Sequence, residues 1–305
     1  RSCIREYLAS ESMAALSVPS SRALALYDSK QAVYRETPEA GAMLLRVAQG
    51  HIRFGHFEYF FYQGKPAELD QLINYCLQHY YPDCLTTDSP LENMLIEVVK
   101  RTARMIAKWQ SIGFQHGVMN LNCLMRCFSK HLEKNQLIAI LQCYEPELQS
   151  YYDHLMMKKI GLSDAQHVHD LLPSLFTILA AEKMDYAVFF RLLSHISDID
   201  FTLLLDEVVD RDRLSKWLER YKKARLNEGV EWPQVSISML LVNPKFILRN
   251  YLAHDAILAA ERGDYLPFRR LLNVLNKPFD EHPESEFLAQ RAPEWGRSLE
   301  VSCSS

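Results

Sequence analysis

The sequence predicts an α+β chain that is mostly helical, and three observations carry that expectation. From Ala67 onward, apolar residues recur at the 3.6-residue period in runs too long for strands. Between Arg22 and Val47 the apolar runs are short and separated by turn-forming residues. With 305 residues, 48% of them apolar and 24% charged, the chain can bury a real core.

Ile4, Leu8, Ala15 and Leu16 recur near the helical period while Arg5, Glu6, Glu11 and Ser12 fall elsewhere, so residues 4–16 read as an amphipathic helix with Glu6 in its first turns. Pro19 closes it. Apolar runs at 22–27, 32–35 and 43–47 are divided by Asp28-Ser29-Lys30 and Thr37-Pro38-Glu39-Ala40-Gly41, which suggests an antiparallel strand group. Residues 53–62 (RFGHFEYFFY) are densely aromatic and read as a seam between lobes, since no basic patch accompanies them. After the turn Gly64-Lys65-Pro66, helices are expected over 67–80, 90–112, about 123–142, 145–160, about 171–193, 214–226 and 244–262. Residues 276–297, rich in Pro, Asp and Glu, read as an extended tail. The expected division is a partial N-lobe over 1–62, a helical C-lobe over 63–275 and a C-terminal tail over 276–305. A helix carrying Glu, then strands, then a helical lobe is the element order of a protein-kinase-like fold without its first strands.

Lys and Arg number 34 against 38 Asp and Glu, for a net charge of -4, and no long run of like charge occurs, which disfavours nucleic acid as a partner. No apolar stretch approaches the ~20 residues of a membrane span, so no membrane is expected. Seven Cys without regular spacing fit a reducing compartment. No secretory leader follows Arg1, and the expected location is the cytoplasm of a bacterial-like cell, or the mitochondrion if the source is eukaryotic. Gly numbers only 10, and neither kind of glycine-rich phosphate loop is present.

Four stretches are more specific: Ile4-Arg5-Glu6-Tyr7-Leu8-Ala9-Ser10-Glu11; Val33-Tyr34-Arg35-Glu36-Thr37 with Gly41-Ala42-Met43-Leu44-Leu45-Arg46-Val47-Ala48; Arg53-Phe54-Gly55-His56-Phe57-Glu58; and His116-Gly117-Val118-Met119-Asn120. Asn243-Pro244, Leu248-Arg249-Asn250, Ala260-Glu261, Gly263-Asp264 and Pro293-Glu294-Trp295-Gly296 extend the pattern towards Cys303. Together they resemble the selenoprotein O family, also called YdiU, of kinase-like protein adenylyltransferases. The resemblance implies a kinase fold that binds ATP in a flipped orientation. With Mg²⁺ or Mn²⁺ such a protein transfers AMP, or another nucleotide, to Ser, Thr or Tyr of protein substrates. It matches Glu6 to the helix Glu that pairs with a nucleotide-binding Lys, and Arg46 and Arg53 to the two arginines that hold the phosphates. Guanidinium forks suit a polyphosphate because each is permanently charged and donates parallel hydrogen bonds.

The departures carry equal weight. The glycine-rich and Lys-bearing strands expected before Arg1 are absent, which would leave Glu6 without a partner. After Asn120 the family continues with a Thr-Asp-Asn that supplies a base and a metal ligand, then an Asp-Tyr-Gly that supplies the second ligand. Here Leu121-Asn122-Cys123 follows instead, with Asn122 at the base position and Cys123 at the ligand position, as though a segment had been excised. An Asn amide takes no proton, and a thiol is a poor ligand for a hard cation. The expectation is therefore an adenylyltransferase relative with no catalytic base and no metal ligands of its own. The alternative is a non-catalytic remnant or helical binding module that binds nucleotide weakly at most, in effect a pseudokinase.

Each residue also has a plainer reading. Arg46 and Arg53 taken alone favour ion pairing with Glu36 or Glu58, and only their place in family motifs reverses that. Glu6 reads otherwise as a solvated helix face, and His116 as a brace for its loop. Cys123, Cys127 and His131 at i, i+4 and i+8 evoke zinc, but the outer pair spans ~12 Å of helix rise, so buried thiols are the better expectation. The basic cluster at 220–225 reads as a solvated helix face. Cys303, near the end of the chain, is the thiol expected to be redox-reactive; animal members of the family carry selenocysteine there.

Overall fold

A computed structural model describes residues 1–34, 38–114, 120–196, 200–297 and 299. The chain folds mostly as helices around one small sheet and divides into two compact units, one of residues 1–48 with 156–305 and one of residues 49–155. The sequence reading placed its divisions at 62 and 275.

The first unit opens with α1 (Ser2–Ala15), followed by β1 (Arg22–Tyr34) and β2 (Pro38–Val47). The expected strand group is a single antiparallel hairpin with long strands, pairing Ala23 with Arg46 and Tyr27 with Met43. Met43, Leu45 and Val47 alternate along β2 and stay exposed, so one face of the hairpin is apolar and open to solvent. Helix α1 is anchored elsewhere: Leu8 is fully buried with Phe246, Tyr251, Ala256, Leu271 and Val274.

The second unit contains α2 (Phe54–Tyr62), α3 (Pro66–Tyr80), a 3₁₀ turn (Pro82–Thr86), α4 (Pro90–Ser111), α5 (Leu121–Arg126) and α6 (Lys134–Gln142). The aromatic run thus starts a helix, with Phe57 turned inward against Phe128 at 5.5 Å between rings. Helix α4 buries Met94, Leu95, Val99, Ala103 and Ala107, the long buried helix that the 90–112 pattern predicts. The single helix expected over 123–142 is instead two. Glu133, in extended backbone, caps α6, and its N–H donates to Gln136 Oε1 at 3.0 Å, a local bond that restarts the helix.

Helix α7 (Tyr144–Ile160) leads from this unit back to the first, which continues with α8 (Ala165–Ala181), α9 (Tyr186–Ser194), α10 (Thr202–Leu205), α11 (Arg211–Asn227), α12 (Trp232–Leu240), α13 (Asn250–Glu261) and α14 (Leu266–Asn276). Where one helix was expected over 171–193, Lys183 adopts φ 50° and the Asp185 carboxylate accepts Val188 N–H at 3.1 Å, capping α9. Gly161 ends α7 at φ 65°, and a Cβ there would lie 2.4 Å from Val235 Cγ1, so both backbone and packing require glycine. Trp217 stacks on Tyr221 at 5.4 Å and donates to the Leu171 carbonyl at 3.0 Å, fixing α11 to α8.

Residues 243–249, of which 244–249 were expected to be helical, form a buried clamp before α13 begins. Asn243 Nδ2 donates to the Lys159 carbonyl at 2.8 Å and to Ser194 Oγ at 2.9 Å, while Lys159 Nζ donates to Asn243 Oδ1 at 2.8 Å. Arg249 forks onto Asp185 at 3.0–3.2 Å. Past α14, the expected extended tail contains a 3₁₀ segment (Pro283–Leu288) and a short helix, α15 (Glu294–Arg297), and it buries Ser285 and Leu288. Among the described residues, no helix is long and apolar enough to cross a membrane.

Candidate functional site

Arg46 lies on β2 and Glu6 on the second turn of α1, and the structure brings them together: Arg46 Nη2 donates to Glu6 Oε2. Arg46 Nη1 also donates to Ser21 Oγ at 3.2 Å. Glu6 therefore has a partner, contrary to the sequence reading, and the partner is an expected phosphate ligand. Of the two carboxylates in the plainer reading, Glu36 lies outside the described residues. Both side chains stay accessible, at 35% for Arg46 and 59% for Glu6.

The local chain sets this geometry. Ala23 is the cross-strand partner of Arg46, and its N–H donates to Glu11 Oε1 at 2.9 Å. Arg22 holds the same carboxylate through Nε at 2.9 Å and Nη2 at 2.6 Å. Glu11 sits deep, and the Arg22 hydrogen bonds, helped by that backbone N–H, outweigh burial and hold its carboxyl below the usual range. Helix α1 is thus tied to the hairpin at the rung that carries Arg46. Sequence reasoning missed Glu11 and Ser21, for which the only signal was an acidic residue on the polar side of α1.

Arg53 belongs to the second unit, where it precedes α2 and its N–H donates to His56 Nδ1 at 2.9 Å. Its side chain is exposed and has no acidic partner among the described residues. The expectation that Arg46 and Arg53 share one phosphate site spans the two units.

Residues 116–119 of the His116–Asn120 motif lie outside the described residues, as does Cys303. Asn120 precedes α5, a six-residue helix whose Leu121, Leu124 and Met125 enter the core of the second unit. Asn122 points away from that core and is exposed; Cys123 is half-buried. The Cys127 thiol donates to the Cys123 carbonyl at 3.5 Å, and burial pushes its pKa up to about 11. His131 Nε2 pairs with Asp70 Oδ1 at 2.6 Å. Among the described residues no group of three His, Cys, Asp or Glu is placed to hold a metal ion. Asn122 and Cys123 offer one neutral amide oxygen and one soft thiol. That donor set does not fit Mg²⁺ or Mn²⁺, which take several hard oxygens.

The family profile described as "Protein adenylyltransferase SelO" matches residues 1–125 and 118–276. The two matched stretches overlap at 118–125, so the profile passes through Asn122 and Cys123 twice, once from each side. A protein named "Protein nucleotidyltransferase YdiU" from Marinomonas sp. (strain MWYL1) is 70% identical over 354 positions, covering all of this chain and 75% of the relative. Proteins of the same name from Pseudoalteromonas atlantica and Vibrio cholerae are 37% and 38% identical, each covering all of this chain and 74% of the relative. The Marinomonas alignment runs over 354 positions against a chain of 305, so 49 positions within the aligned part of that relative have no counterpart in this chain. These matches establish that the chain belongs to the SelO family of protein adenylyltransferases.

Proposed function

We propose that this chain is a SelO-family nucleotidyltransferase that keeps phosphate-binding arginines on a kinase-like fold but does not transfer AMP. The observation that carries the reading is the overlap of the two family matches at 118–125, where the base and metal ligands of the family are expected. Asn122 there is an exposed amide with no proton-accepting capacity, on a helix whose other face is committed to the core. Glu6 on α1, the paired strands and the long buried helix α4 support the kinase-like part.

In this reading Arg46 and Arg53 hold the phosphates of ATP, and the protein substrates of the family, offering Ser, Thr or Tyr, are not modified by this chain alone. Each charged contact to a phosphate is worth ~1.5–3 kcal/mol. Calorimetric titration with ATP and with pyrophosphate should give weak binding that Mg²⁺ and Mn²⁺ do not strengthen. An Arg46→Ala, Arg53→Ala double variant should lose it. Equal binding by the two proteins would refute the phosphate assignment. A second reading, a helical binding module, draws on the engagement of Arg46 by Glu6, and the same titration decides for it if the wild type binds no nucleotide.

A further inference from the structure

Arg46 is already engaged in the first unit: Ser21 takes Nη1 and Glu6 takes Nη2. A phosphate that forks onto this guanidinium meets a carboxylate in place. The carboxylate cannot leave as part of a moving helix, because α1 is fixed on both sides. Leu8 is fully buried, the Tyr7 ring lies edge-on to Phe268 at 5.6 Å, and Glu11 holds Arg22 and Ala23. Only the Glu6 side chain, 59% exposed, is free to rotate away.

We propose that Glu6 is an internal competitor for the anion that Arg46 binds. This rests on the phosphate reading of Arg46 given above and adds a selection rule to it. Being tethered, Glu6 faces Arg46 at an effective concentration on the order of millimolar or more. A small carboxylate has nothing to offer beyond what Glu6 supplies, whereas a polyphosphate brings more charge and more oxygens to the same fork. The competitor therefore turns a general anion contact into one that polyphosphates occupy and carboxylates do not.

Titration with inorganic pyrophosphate, and separately with acetate, of the wild type, Glu6→Ala, Arg46→Ala and the Glu6→Ala, Arg46→Ala double variant tests this. Glu6→Ala is expected to bind pyrophosphate about two- to fivefold more tightly, the worth of an exposed ion pair, and to gain measurable acetate binding. In the Arg46→Ala background the same substitution should change nothing. Glu6→Gln, which preserves shape, should reproduce the gain, and thermal melts should show that all variants are folded. A weaker or unchanged Glu6→Ala would overturn the proposal, since Glu6 would then be positioning Arg46 or ignoring it. An equal gain in the Arg46→Ala background would also overturn it, by reducing the effect to general repulsion. If Arg46→Ala binds as tightly as the wild type, or none of the proteins binds, the phosphate reading fails and the competitor with it; if Arg46→Ala is weaker and Glu6→Ala unchanged, the competitor alone fails.

Discussion

The Arg46–Glu6 pair and the Asn243 clamp are built from comparable polar side chains, both drawn from stretches shared with the family, yet they differ in what surrounds them. Arg46 and Glu6 meet at the surface, with one further bond to Ser21. Asn243 has no exposed surface; its amide serves Lys159 and Ser194, and its carbonyl accepts Arg191 Nη1 at 2.9 Å. Lys159 Nζ also sits over the Phe190 ring at 4.5 Å and the Tyr186 ring at 5.3 Å. Water can replace either partner of the first pair at small cost, so the pair is open to a ligand. Nothing replaces a lost partner in the second, so it serves the fold.

That contrast has a steep expected gradient in stability. Asn243→Ala would orphan Lys159 Nζ and the Lys159 carbonyl together, while Ser194 Oγ keeps its bond to the Phe190 carbonyl; at ~1–3 kcal/mol for each group left unpaired, urea denaturation should show a loss of about 2 kcal/mol or more. Glu6→Ala should cost less than about 1 kcal/mol in the same experiment. Comparable losses would abolish the distinction between the two clusters.

The buried lysine sharpens it through pH. Burial pushes the Lys159 pKa down to about 7, whereas an unfolded lysine titrates at about 10.4. Between those values the unfolded state binds the extra proton, so this group makes the protein more stable as pH rises, by up to ~1.4 kcal/mol per unit. From pH 7 to 9 the wild type should gain about 2 kcal/mol relative to Lys159→Met. Parallel stability curves for the two proteins would contradict this.

Glu11 stands between the extremes, a buried carboxylate beneath an exposed site. Glu11→Gln should lose about 1 kcal/mol at neutral pH through the weakened Arg22 and Ala23 bonds. Because the folded carboxyl is held low by Arg22, its contribution is present above the unfolded carboxyl range and is lost as pH falls through the folded value. The difference between wild type and variant, measured by urea denaturation, should therefore shrink in acid. A constant difference would mean that Glu11 acts by packing alone.

Periodicity made α3 and α4 legible, because each carries a clear apolar stripe; α1 and α7 were also placed, although α1 buries Ser10, Glu11 and Ser12 and α7 buries Asp153 and Lys159. It failed at Glu133 and Asp185, where a single local hydrogen bond restarts a helix inside an apolar pattern. Leu271, Val274 and Leu275 give α14 an equally clear apolar stripe, beyond the 244–262 span where the last helix was expected. Of the candidate site, Arg46, Arg53 and Glu6 were legible only through shared motifs, since an Arg on a strand and a Glu on a helix are ordinary in themselves. Their pairing was not legible, because it joins residues 40 apart whose approach depends on how α1 docks on the hairpin. The clamp role of Asn243 was hidden for the same reason: its partners Lys159 and Ser194 lie 84 and 49 residues away.

The central claim, phosphate binding without transfer, is tested most directly by incubating the chain with labelled ATP and Mg²⁺ or Mn²⁺, alone and with a mixture of candidate protein acceptors. The account predicts no label on this chain or on any acceptor, since in the proposed reading Asn122 and Cys123 stand where a base and a metal ligand are needed. Clear, metal-dependent incorporation of AMP would contradict it and would require ligands elsewhere in the chain.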